Sequence, residues 1–259
     1  MGMAGLVFGI VIVGVLVACC FIYIRRKLLA YIAANAVIFV AIALLAFLVF
    51  RDLSDLQEKF PVEQKLFLPM HNDEYCGAFT ARSLDESIVY LGEQELSALQ
   101  GKITANGVGS LGSEYYKVIL IKSDALAGTG SFVTEDIALT ESEAFSILDS
   151  PSPISTYVEL YLGKEFGQDY DAQLAGNIES EIHEIYPNGC AFKGAIFRAM
   201  FGSAMQSHGG IYLVTEYKKG NIQFYPETIS FSLIRLIPTK IFIPLARSLV
   251  EDAGMEPIQ

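Results

Sequence analysis

Residues His71-Asn72-Asp73-Glu74 place an imidazole beside two carboxylates. Such a set could move protons or hold a metal ion. A polar turn accounts for the same four residues without any reaction. His183 follows Glu179 by four residues, a helical spacing that suits a surface ion pair. His208-Gly209-Gly210 has the form of the oxyanion strand of some esterases, but no G-x-S-x-G turn is present to hold a nucleophile. The chain has three histidines and no paired ligand spacing, which argues against a zinc site. GVGSLG, residues 107–112, matches G-x-G-x-x-G in letters. The dinucleotide fingerprint requires a helix after it, whereas SEYYKVILIK follows here and reads as a strand. No cofactor and no metal are expected, and no residue is assigned a catalytic role.

Two cysteines, Cys76 and Cys190, lie outside the apolar N-terminal region, both in turn-like surroundings. In an oxidising compartment such a pair is a candidate disulfide.

The compartment is read from the first fifty residues. Residues 5–24 and 28–50 are uncharged and free of proline. Each run is long enough to cross a hydrocarbon core of roughly 30 Å. Arg25, Arg26 and Lys27 separate them, flanked by Tyr23 and Tyr31. Cations are costly at a bilayer centre, and tyrosine favours the interface. These residues therefore predict a two-span hairpin with its cationic turn at the headgroups. Positive charge concentrates on the cytoplasmic side, which puts both termini outside the plasma membrane. Gly5 with Gly9, and Ala30 with Ala34, have the spacing of small residues that let spans pack or oligomerise. Asn35 is the one strongly polar side chain in the second run.

The remainder is acidic. The whole chain carries −11 and its first fifty residues carry three cations, leaving about −14 for the rest. That charge argues against nucleic acid as a partner. Residues 51–60 predict a helical stalk, with Asp55 and Lys59 at i, i+4. The following segments predict a mixed, largely antiparallel α+β exoplasmic domain. The proline-containing stretch 149–155 divides it into possible lobes at 61–149 and 150–259.

Segments 87–91, 115–122, 156–162, 211–218, 221–226 and 228–237 are rich in β-branched and aromatic residues and predict strands, with 211–226 forming a hairpin. Segments 93–100, 140–148, 171–186 and 191–205 predict helices, the second opened by a Thr140/Glu143 capping box. The stripe of the third is Leu174, Ile178, Ile182 and Ile185.

These features predict a membrane-anchored, non-catalytic interaction or assembly module. Its expected partners are membrane lipid and a protein, either another copy or a member of a larger membrane complex. A tethered hydrolase using His71, Asp73, Glu74 or His208, and a sensor or transporter accessory subunit, are the alternatives.

Overall fold

The computed structural model describes residues 3–82, 88–134, 137–167 and 170–238. The chain divides into two compact units, Met1–Asp52 and Leu53–Gln259.

Helix α1 runs from Met3 to Lys59 without interruption. This overturns the two-span hairpin and the two-pass topology. The segment around Arg25–Lys27 is built of good helix formers, with neither glycine nor proline, so nothing there breaks the hydrogen-bond ladder. Among the described residues, one stretch, Tyr23–Lys59, is long and apolar enough to cross a membrane. None of its most apolar window is buried within the protein. Phe39, for example, is 74 % exposed.

The second unit is an open α+β domain. Its main sheet comprises β1 (Lys65–His71), β2 (Glu74–Tyr75), β3 (Phe79–Ala81), β4 (Val89–Tyr90), β5 (Lys117–Lys122) and β8 (Ile222–Tyr225). The order is β4-β3-β1-β5-β8, with β2 paired to β1. β1 and β5 are parallel, and every other pair is antiparallel. A separate two-stranded ribbon joins β6 (Ser131–Thr134) to β7 (Ile137–Thr140).

Alternation along the central strands sends side chains to two layers. Leu66, Leu68 and Val118 meet Leu96 and Leu99 of α2 (Glu93–Asn106). Ile119, Ile121 and Ile222 meet the helices of the opposite face. Those helices are α3 (Glu141–Asp149), α4 (Pro153–Phe166), α5 (Ala172–Ile185), α6 (Gly189–His208), α7 (Gly210–Lys219) and α8 (Ile229–Leu236). Residues on both sides of 149–155 share this core, including Ile121, Ile147, Val158 and Phe197.

The capping box that starts α3 is present: Thr140 N donates to Glu143 Oε2 at 2.7 Å, and Glu143 N to Thr140 Oγ1 at 3.4 Å. Three expected strands are helices instead. In 156–162, Pro153 occupies the first turn of α4. The buried residues Ile154, Tyr157, Val158 and Leu162 recur at helical spacing. In 211–218, Tyr212, Glu216 and Tyr217 are buried on α7. Gly220 ends that helix at φ +83°, so it serves as a C-cap rather than a hairpin turn. The hairpin expected at 211–226 is thus a helix followed by β8. In 228–237, α8 turns Phe231 and Ile234 toward the core. In each case tertiary burial at a period of 3.6 overrides β-propensity. On α5, Ile182 is buried but Ile185 is 64 % exposed.

Helix α6 is the centre of the helical layer. Phe192, Ile196, Phe197, Met200 and Ala204 are fully enclosed on one face. Gly77, in the link between β2 and β3, presses onto its first turns. A Cβ there would lie 2.8 Å from Gly194 N and 2.9 Å from the Cys190 carbonyl oxygen.

The expected disulfide is absent: Cys76 and Cys190 are free thiols. Cys76 Sγ instead sits 3.7 Å from the Pro69 carbonyl. Protein atoms ring this thiol, and that burial pushes its pKa up to about 12. The thiolate that disulfide chemistry needs is thereby suppressed. Burial raises the Cys190 thiol as well.

Candidate binding cleft

The helical period of α6 gives it a second face opposite the buried one. Ala195, Arg198, Ala199, Gly202, Ser203 and Gln206 recur at steps of three and four and line a cleft of about 780 Å³. Small residues on this face leave the space that large ones would fill. The floor is aromatic and comes from the sheet. Phe67 of β1 stacks on Phe79 of β3 with centroids 4.8 Å apart. Phe79 contacts Tyr90 of β4 at 6.0 Å, and Tyr90 meets Tyr186 edge-on at 5.4 Å. The far wall is β6, residues 131–134.

Both strands that border the cleft are edges. β4 ends the main sheet, and β6 pairs with β7 alone among the described strands. Val133, on the β6 wall, is 70 % exposed.

Arg198 is the one charged residue among the described lining residues. Its Nη1 donates to the Tyr90 hydroxyl at 3.2 Å. Four other cations of the domain sit in ion pairs: Lys102 with Glu114, Lys164 with Glu143, Lys219 with Glu216 and Arg235 with Glu227. Ser131 and Ser203 bring hydroxyls to the cleft, but no histidine or carboxylate stands with them among the described lining residues. The arrangement therefore offers an apolar bed with one fixed cation, suited to binding and orienting a ligand.

The sequence-derived candidates lie elsewhere. His71 ends β1, with its Nε2 3.0 Å from Asp149 Oδ1. The alignment is too poor for a hydrogen bond, and both ring nitrogens are buried without one. Its ring stacks on Phe145 at 5.2 Å. Asn72 and Asp73, both at positive φ, form the two-residue turn into β2. Asn72 Nδ2 also donates to Asp149 Oδ1, at 3.0 Å. Glu74 is the exposed first residue of β2. The set ties a hairpin to the end of α3. His208 stacks on Tyr212 at 5.7 Å. No cluster of metal-ligating side chains occurs among the described residues.

On α1, Arg25, Arg26, Lys27, Tyr23, Tyr31 and Ala34 are exposed. Lys27 Nζ lies 4.8 Å over the Tyr23 ring. Asn35 Nδ2 donates to the Tyr31 carbonyl at 2.8 Å, within its own helix. The packing expected at Gly5, Gly9 and Ala30 falls on positions of α1 whose side-chain surroundings lie outside what is described.

Two buried lysines escaped the sequence reading. Lys65 and Lys117 are register partners at the start of β1 and β5. Lys65 Nζ donates to the Phe60 and Arg82 carbonyls at 2.5 and 2.6 Å, and Lys117 Nζ to the Pro226 carbonyl at 3.0 Å. Nearby, the expected Asp55–Lys59 pair forms at 2.6 Å, and Tyr116 donates to Asp55 Oδ2 at 3.0 Å. The cleft too was missed, though the small residues of 195–203 at helical spacing were its legible sign.

No protein-family model matches the chain, and no curated protein or solved structure matches it either.

Proposed function

We propose that this chain is a membrane-anchored, non-catalytic interaction module. A single span carries the domain on the extracytoplasmic face of the plasma membrane. The observation that carries the binding role is the aromatic cleft: it is bordered by two strand edges, and among the described lining residues its one charged group stands without a general base. The apolar helix supports the anchor. Arg25–Lys27 favour a cytoplasmic location by the positive-inside bias. An unbroken helix leads away from those cations to the domain, so the N-terminal end and the domain fall on opposite sides.

The anchor is tested on intact cells expressing the chain. An external protease should digest the domain, and an alkaline carbonate wash should leave the chain in the membrane. Protection until the cells are permeabilised would reverse the orientation, and release by carbonate would remove the anchor. The binding role is tested with a photo-crosslinking residue at Val133, using exposed Glu159 on α4 as the reference site. A discrete adduct is expected from Val133 alone. Adducts from both positions, or from neither, would count against a cleft-directed partner.

A further inference from the structure

We infer that the cleft receives an extended peptide segment bearing one carboxylate, which Arg198 binds. This rests on the interaction-module reading and names its partner chemistry. The floor of Phe67, Phe79 and Tyr90 suits apolar side chains. The edges of β4 and β6 leave backbone donors and acceptors that an added strand can satisfy. A volume of about 780 Å³ is large enough for a few residues.

Charge selects the remaining element. Arg198 forms no ion pair among the described residues, and its guanidinium is held at the cleft by the Tyr90 hydroxyl. A guanidinium binds carboxylate through two parallel N–H donors. The domain as a whole is strongly acidic, so a run of acidic residues would be repelled while a single carboxylate at Arg198 is accepted. The site therefore specifies one carboxylate on an apolar strand.

The experiment uses the full chain in nanodiscs of zwitterionic lipid, probed on an array of random hexapeptides. Each peptide is present with a free C-terminal carboxylate and as its amide. Binders should be apolar peptides carrying one carboxylate, terminal or side-chain. Arg198→Met should abolish that enrichment at least tenfold, and Arg198→Lys should restore part of it, because a lysine keeps the charge but not the planar fork. Circular dichroism of each variant shows whether the fold is kept. Binders lacking a carboxylate, or an enrichment that Arg198→Met leaves intact, would overturn the inference while keeping the binding role. An array without binders, together with saturation-transfer signals from naphthalene-2-carboxylate, would make the ligand a small molecule and overturn the peptide. Absence of both, together with no adduct at Val133, would remove the binding role itself.

Discussion

Helix α1 and strand β5 are both apolar, yet they meet opposite fates. Along the described part of the α1 run almost every side chain is exposed, whereas the first five residues of β5, Lys117–Ile121, are all buried. The strand is six residues long and finds β1 and β8 on either side. The run from residue 28 to 50 is exposed at nearly all of its described side chains and extends about 35 Å as a helix. Apolar composition gives the drive to leave water, while length and pairing decide whether the destination is a core or a bilayer.

The sharpest way to break this comparison is to make one substitution in both regions. Phe197→Ala on the buried face of α6 should cost about 3–5 kcal/mol of domain stability. Phe39→Ala should leave the domain's denaturation midpoint unchanged, because Phe39 is an exposed side chain of the other compact unit. Chemical unfolding of both variants in nanodiscs checks this, and equal effects would erase the distinction. Phe39→Lys reverses the test. At a span centre it should oppose insertion by roughly 2.5–3.5 kcal/mol, seen as carbonate-extractable protein, again with the domain's stability unaltered.

A smaller effect is expected where backbone meets backbone. Gly77→Ala puts a methyl against Gly194 and Cys190 main-chain atoms, and should destabilise the domain by about 1–3 kcal/mol. Gly101→Ala, where nothing lies within 4 Å, is the matched control and should be neutral or slightly stabilising.

The smallest effect lies at the start of α3. Burial alone would raise the Glu143 carboxyl, but the Lys164 ammonium and the Thr140 amide and hydroxyl outweigh it, so the net shift is downward. A carboxyl with a depressed folded-state pKa contributes stability that is full above its unfolded value and lost as pH falls through the folded one. Glu143→Gln should cost less than about 1 kcal/mol at pH 7 and flatten the acid limb. Urea midpoints at pH 7 and pH 3.5 measure both. An acid limb identical to that of the unaltered chain would exclude Glu143 as a contributor.

Much of the architecture was legible wherever one local signal prevailed. The Thr140/Glu143 box announced α3, the KVILIK run announced β5, and the ion-pair spacing of Asp55 and Lys59 announced the end of α1. Legibility failed where two signals conflicted. TYVELYL and IYLVTEYK carry strand-like residue types at helix-like burial spacing, and only the neighbouring elements reveal which side chains are buried. The short strands β2, β6 and β7 were not legible either, since two to four residues carry too little pattern. Of the cleft, the sequence held the small residues of α6, but not their meeting with Phe67, Phe79 and Tyr90.

By itself the sequence determined an apolar region able to enter a membrane, an acidic α+β remainder, and the absence of known catalytic signatures. These follow from composition and local spacing, which need no partner to be read. Tertiary structure decided that Cys76 and Cys190 stay unbonded and that Arg198 faces an aromatic floor. Each depends on which distant groups come within a few ångströms. Contacts of that kind arise only when separate elements pack.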